Sequence, residues 1–186
     1  MRIGLLGGSF NPAHRGHMHV SETALKALRL DYVWWLVSPQ NPLKSKEVMG
    51  KLGTRVAAAK EMAQHPRIVV TDIEKELGTI YTADTLKALL RRFPRVHFVW
   101  LMGSDNLIQI PRWRNWRKIF VMVPVAVVSR PDTSLKARNG RAARTFSAAR
   151  VPADIFFAAR RLPAWTVIES RHDWTSATQI RARLWR

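Results

Sequence analysis

The sequence predicts an α/β fold, a Rossmann-like doubly wound parallel sheet in a three-layer α/β/α arrangement, from three observations. Apolar runs of strand length alternate with segments of helical spacing, the order that builds βαβ units and a parallel sheet. Residues 32–37, Tyr-Val-Trp-Trp-Leu-Val, show no polar alternation, as a strand covered by helices on both faces requires. The first apolar run passes directly into Gly7-Gly8-Ser9-Phe10, a turn placed where such sheets bind ligands.

In chain order, residues 2–6 form a strand and residues 18–30 a helix with Val20, Ala24, Ala27 and Leu28 on one face, together a βα unit. Residues 32–37 are the second strand, 54–64 a helix, and 67–71 a third strand ahead of an acidic turn. Residues 82–93 carry Leu86, Leu89 and Leu90 at helical spacing, and 96–101 form a strand that ends at Gly103-Ser104-Asp105. Residues 121–128 read as a strand broken by Pro124, 166–169 as another, and a helix from Ser176 closes the fold. The segments 7–17, 38–44, 103–105, 129–130 and the Ser176 turn all follow strands, so one crevice at the strands' carboxyl ends could collect them. No internal repeat or linker divides the chain. Residues 1–186 read as one domain, with room for an inserted or variable segment over 131–163.

A chain of 186 residues with 47% hydrophobic content is long enough for a real core. With no cysteine there is no disulfide framework, thiolate zinc site or thiol nucleophile, so any metal must be held by oxygen or imidazole. Met1-Arg2 leads straight into the first strand and the apolar runs are too short to span a bilayer, so a cytoplasmic protein without a membrane partner is expected.

Thirty-one Lys and Arg against 13 Asp and Glu leave a formal charge of +18. From Arg112 to Arg161 twelve basic residues face only Asp132 and Asp154, a local excess of +10. Such a field speeds the capture of anionic ligands and permits nonspecific polyanion binding. A solvated arginine-rich face is the simpler explanation. Arg141-Ala-Ala-Arg144 and Ser147-Ala-Ala-Arg150 read as exposed helix, without the aromatic interleaving of single-strand binders, so specific nucleic-acid binding is not expected.

Gly7-Gly8-Ser9-Phe10-Asn11-Pro12-Ala13-His14-Arg15-Gly16-His17 reads as a phosphate site. Glycines let the backbone turn tightly and approach an anion, and two histidines beside a helix starting near His17 place imidazole donors at the positive end of a helix dipole. No Gly-Lys-Ser/Thr follows, and the Gly-x-Gly-x-x-Gly spacing is absent, so this is neither a Walker loop nor a dinucleotide fingerprint. The glycine pair alone would suit an ordinary turn; the full run favours a triphosphate. A second motif is Ser176-Ala-Thr178-Gln179-Ile180-Arg181, whose Ser-x-x-Gln spacing starts a helix with outward first-turn N–H groups.

The run Gly-Gly-Ser-Phe-Asn-Pro-x-His-x-Gly-His resembles the signature of the adenylyltransferases whose phosphate motif is His-x-Gly-His. Among them it is most similar to bacterial nicotinate-nucleotide adenylyltransferases, and the resemblance extends along most of the chain, most weakly over 131–163. It implies ATP-dependent adenylyl transfer to nicotinate mononucleotide, giving nicotinate adenine dinucleotide and pyrophosphate in NAD biosynthesis. It also implies Mg²⁺ bound through the ATP phosphates. The catalytic residues would be His14, His17 and Arg181. The ATP site would comprise Gly7, Gly8, Ser9, Phe10, both histidines, Gly103, Asp105, Arg130, Ser176, Thr178, Ile180 and Arg181.

Gly103-Ser104-Asp105 with Trp113 is similar to the family's Gly-x-Asp and downstream Trp, which stacks on the pyridine ring. Tyr81-Thr82-Ala83-Asp84-Thr85-Leu86 is similar to its Tyr-Thr-x-x-Thr-Leu, which meets the nicotinate carboxylate. The acceptor site would then comprise Asn41, Lys44, Thr82, Thr85, Asp105 and Trp113, with Arg114 standing where relatives often carry an aromatic residue. Plainer readings stay open. Thr82 could be a helix cap, and Trp113 and Trp116 could share a buried face. Other acceptors, nicotinamide mononucleotide or phosphopantetheine, and a basic nucleic-acid-binding protein on the same fold are the alternative functions.

Overall fold

The computed structural model describes residues 1–40, 49–129, 133–157 and 161–170. Among the described residues six strands form one sheet: β1 (Arg2–Gly8), β2 (Tyr32–Val37), β3 (Ile68–Thr71), β4 (His97–Gly103), β5 (Val125–Val128) and β6 (Trp165–Ile168). All pairings are parallel and the order is β3-β2-β1-β4-β5-β6, so the strand order reverses at the β1–β4 boundary. In sheets of this kind ligands bind beyond the carboxyl ends of the strands at such a reversal, here β1 and β4.

Both faces of the sheet are buried. Ile3, Leu5, Phe98, Trp100, Met102, Val125 and Val127 belong to one core, and Leu6, Val99, Leu101, Ala126 and Val128 to the other. The period-two alternation sends neighbours to opposite sides, which explains strands without polar positions. Helix α1 (Arg15–Ala27) packs its Val20, Ala24 and Leu25 into the second core, beside α2 (Leu52–Met62), which contributes Ala59. The first core is covered by α4 (Thr82–Arg92) and α6 (Trp116–Met122). Two short helices, α3 (Ile73–Glu76) and α5 (Ser104–Gln109), follow β3 and β4.

Three sequence expectations are corrected. Helix α1 starts at Arg15 rather than near His17, because His14 is its N-cap, a residue type outside the usual capping set. Residues 121–128 are not one strand. Val121 and Met122 finish α6, whose Trp116, Ile119 and Phe120 are buried at helical spacing, and Pro124 separates that helix from β5. The tight turn lies at Phe10 instead of the glycine pair: Gly7 and Gly8 end β1, and Phe10 has φ 45°.

The described part of the arginine-rich segment packs onto both cores, its residues 134–149 onto the first and Val151, Ala153, Phe156 and Phe157 onto the second. In α7 (Ser134–Arg138) and α8 (Arg141–Thr145), Ala137, Ala142 and Ala143 are buried while Arg141 and Arg144 are exposed. Phe146 stacks on Phe120 with ring centroids 4.4 Å apart and accepts a hydrogen bond from Trp165 Nε1 at 2.7 Å. Arg138 forms an ion pair with Glu169. The exposed helix expected over 141–150 is instead a short helix, Arg141–Thr145, held to the domain by Ala142 and Ala143, followed by a separate 3₁₀ turn at Ser147–Ala149.

Candidate active site

The first turn after β1 is built from a buried floor upward. A Cβ on Gly7 would lie 2.4 Å from Trp100 Cη2, so glycine at this position keeps the strand end against the indole beneath it. Phe10 is buried to 1% exposure, its ring stacked on Trp35 with centroids 5.0 Å apart and tilted against His17 at 4.5 Å. A bulky residue in the left-handed region is uncommon, and this packing holds it there. With the side chain buried, the group Phe10 can offer a ligand is its backbone.

The two histidines cap α1 reciprocally. Gly16 N donates to His14 Nδ1 at 3.1 Å, and His14 N donates to His17 Nδ1 at 3.2 Å. This is capping-box geometry made with imidazoles. An Nδ1 that accepts from a backbone N–H carries no proton, so each ring bears its proton on Nε2 and presents that nitrogen as the donor. The rings lie side by side, centroids 3.9 Å apart. Trp35 supports them from below: its Nε1 donates to Ser21 Oγ at 2.8 Å, and that hydroxyl donates to the His17 carbonyl at 2.8 Å.

Across the sheet reversal, Gly103 is the N-cap of α5 and Asp105 lies in its first turn. Ser104 Oγ and Thr133 Oγ1 are 2.6 Å apart, which ties this turn to the start of α7. Trp113 is half-buried, edge-on to Trp100 at 6.2 Å, while Trp116 is buried against Phe120 and Phe146. The shared-face reading thus holds in part, since both indoles join the first core. Arg114 lies 4.6 Å over the Tyr81 ring, which brings the Trp113 turn beside the start of α4.

Thr82 is the first residue of α4 and the cap is Tyr81, so the reading of Thr82 as a cap is corrected. Thr85 is fully buried, its hydroxyl 2.9 Å from Glu74 Oε1, 2.9 Å from Thr79 Oγ1 and 3.2 Å from the Tyr81 carbonyl. This network pins the segment carrying Tyr81 and Thr82.

Two buried charged residues at the site escaped the sequence reading. Arg55, on α2, is 3% exposed; its Nη1 donates to the carbonyls of Ser9 at 2.6 Å and Ser38 at 2.9 Å, Nη2 to Pro39 at 3.1 Å and Nε to Gly50 at 2.8 Å. Burial pushes its pKa below the ordinary guanidinium value. A lone arginine in an alanine-rich helix carries no periodic signal of such a role. Glu74 is 6% exposed, and burial raises its carboxyl to about 7, with the Thr85 hydrogen bond opposing the shift.

The raised Glu74 value makes stability pH-dependent. Between about 4.5 and about 7 the folded chain holds a proton that the unfolded chain has lost, so this contribution is full below 4.5 and is lost as pH rises through 7. Glu74→Gln should therefore stabilise the protein at pH 8 by up to roughly 3 kcal/mol and give little gain at pH 4.5. Thermal melts of both proteins at the two pH values test this; an identical difference at both contradicts it.

Asn41, Lys44, Arg130, Ser176, Thr178, Ile180 and Arg181 lie outside the described residues, as does the expected closing helix. The remaining predicted site residues sit at the carboxyl ends of β1 and β4 or on α1, α4 and the Trp113 turn. Of the other histidines, His19 contacts Ser170 Oγ, His65 Nδ1 accepts from Arg67 N at 3.1 Å, His97 is exposed, and His172 lies outside the described residues. No group of three or more His, Cys, Asp or Glu suited to a metal gathers among the described residues. None of the described helices is long and apolar enough to cross a membrane.

Residues 5–183 match the family model described as cytidylyltransferase-like. Proteins named probable nicotinate-nucleotide adenylyltransferase from Methylorubrum extorquens and Parvibaculum lavamentivorans are each 52% identical over 185 residues. Those alignments cover 98% of this chain and 100% and 92% of the relatives. One from Cereibacter sphaeroides is 53% identical over 183 residues, 98% of this chain and 97% of its own. The structure of Plasmodium falciparum nicotinic acid mononucleotide adenylyltransferase complexed with NaAD superposes with a TM-score of 0.72 at 17% identity. It covers 97% of this chain and 82% of that one, a likeness of fold.

Proposed function

We infer the reaction from the family: the chain belongs to the nicotinate-nucleotide adenylyltransferases, within the cytidylyltransferase-like proteins, and transfers the adenylyl group of ATP to nicotinate mononucleotide. The products are nicotinate adenine dinucleotide and pyrophosphate. The observation that carries the mechanism is the pair of imidazoles whose Nδ1 atoms are both occupied by backbone N–H groups.

The acceptor's phosphate is already largely dianionic at neutral pH, with a second pKa of roughly 6, so it attacks the α-phosphorus without a base. A new P–O bond forms as the bond between the α-phosphorus and the bridging oxygen of the β-phosphate breaks. Pyrophosphate leaves with that electron pair. His14 and His17 supply Nε2–H donors to phosphate oxygens on which negative charge accumulates. Mg²⁺ would be brought in on the ATP phosphates and would supply positive charge to the departing pyrophosphate.

The Phe10 backbone, Ser9 and the strand ends at Gly7, Gly8 and Gly103 form the near side of the nucleotide site, with Asp105 reaching substrate hydroxyls. Arg130, Ser176, Thr178, Ile180 and Arg181 are assigned to its far side by the family resemblance. Trp113 offers a half-exposed ring for the pyridine and Thr82 a hydroxyl for its carboxylate, and the family resemblance assigns Asn41 and Lys44 as donors to the acceptor nucleotide. Thr85, anchored on Glu74, holds Tyr81 and Thr82 in place through its own contact with the Tyr81 carbonyl.

Pyrophosphate release from Mg-ATP with a panel of acceptors tests this. Nicotinate mononucleotide should give the highest kcat/KM, above its amide analogue and phosphopantetheine. Absence of release with nicotinate mononucleotide, or a preference for phosphopantetheine, overturns it.

A further inference from the structure

Arg55 is a buried cation satisfied by main-chain carbonyls, and those carbonyls belong to the turns that follow two neighbouring strands. Ser9 lies just past β1, and Ser38 and Pro39 just past β2. Its fourth partner, Gly50, lies where the chain approaches α2. One rigid fork therefore joins the phosphate turn to the segment that leads into the loop assigned to the acceptor.

Peptide planarity gives this link a direction. In a trans peptide the C=O and the following N–H point in opposite directions, and neither the 9–10 nor the 39–40 bond is cis. Drawing the Ser9 carbonyl onto Nη1 turns the Phe10 N–H away from Arg55, and drawing the Pro39 carbonyl onto Nη2 does the same for the Gln40 N–H. Phe10 needs this constraint, since its φ of 45° is one a phenylalanine rarely adopts unaided. A lysine could not reproduce the arrangement, because a single ammonium lacks three planar nitrogens that fan out to separate carbonyls.

We propose that Arg55 is a positioning residue that sets the Phe10 and Gln40 peptide planes together, turning their N–H groups outward as anion donors and aligning the two substrates' phosphates. Arg55 itself touches neither substrate. The alignment of two substrates rests on the adenylyl-transfer reading; the orientation of the Phe10 N–H does not. Misplacing reactants by a fraction of a bond length slows transfer far more than it weakens binding, so the signature is a loss in kcat.

The test uses the full chain and two readouts. At a temperature well below unfolding, Arg55→Lys should lower kcat for pyrophosphate release by on the order of tenfold to a hundredfold, with KM for ATP and nicotinate mononucleotide changed by no more than about threefold. In Arg55→Ala, millimolar guanidinium should restore part of the lost kcat, a rescue that general stabilisation would not produce. Independently of activity, the Phe10 amide resonance of the wild-type protein should shift when the Mg²⁺ complex of α,β-methylene-ATP is added. That shift should be lost in Arg55→Lys. A folded Arg55→Lys protein with unchanged kcat overturns the proposal, as does a wild-type Phe10 amide indifferent to the analogue. Wild-type protein inactive with nicotinate mononucleotide but showing the Phe10 shift and its loss would count against the acceptor assignment and leave the Arg55 orientation supported.

Discussion

Replacing His17 by alanine is expected to lower turnover by on the order of a hundredfold or more while changing ATP binding modestly, the pattern of a group that acts mainly in the transition state. The substitution removes two things at once. It takes away an Nε2–H donor, and it removes the Nδ1 that accepts from His14 N at 3.2 Å, a cap worth about 1 kcal/mol. His17→Gln separates them. A glutamine at the third helical position can accept from the cap N–H, so it should melt near the wild-type temperature, yet it should still lose most of the turnover. Steady-state kinetics and melting curves on both variants check this. A Gln variant that retains wild-type kcat would place the importance of His17 in capping alone.

Trp35→Ala should carry the largest stability cost, about 3–5 kcal/mol, by the usual cost of emptying a buried aromatic site. Trp35 is fully buried, stacks on Phe10 at 5.0 Å and lies 5.8 Å from the His17 ring. Its loss also removes the indole donor to the Ser21 hydroxyl, which keeps its own bond to the His17 carbonyl. Denaturant unfolding measures the first effect. The second should appear as a fall in kcat in the protein that remains folded, because both Phe10 and His17 lose their floor. Trp35→Phe refills most of the cavity and should recover stability better than it recovers turnover, since it cannot donate to Ser21. Stability within about 1 kcal/mol of wild type for Trp35→Ala would contradict the packing described.

Much of the fold was legible because a doubly wound sheet writes itself as apolar runs. Tyr32–Val37 and His97–Gly103 are buried on both faces and have almost no polar positions. The error over 121–128 has the same origin: Val121 and Met122 look like strand, and the buried face that makes them helical is set upstream by Trp116, Ile119 and Phe120. The histidine pair was legible as a motif, whereas its mutual cap was not, because helix starts are sought at Ser, Thr, Asp and Asn. Glu74 and Arg55 were invisible for a different reason. A single charged residue is most often solvated, and its burial depends on segments distant in sequence, such as Ser9 and Ser38 for Arg55. Thr85 was legible as a candidate through its motif, whereas its buried partner, Glu74, lies 11 residues away and was not.

The proposed chemistry rests on two imidazoles, each locked by a backbone hydrogen bond at Nδ1, that offer paired Nε2–H donors to the triphosphate. Nitrogen-15 NMR of the imidazole rings, with and without the Mg²⁺ complex of α,β-methylene-ATP, tests it most directly. The predicted spectrum shows an unprotonated Nδ1 and a protonated Nε2 in both His14 and His17, and both Nε2–H signals shift when the nucleotide binds. A proton on Nδ1 in either ring, or Nε2–H signals unmoved by bound nucleotide, would contradict it.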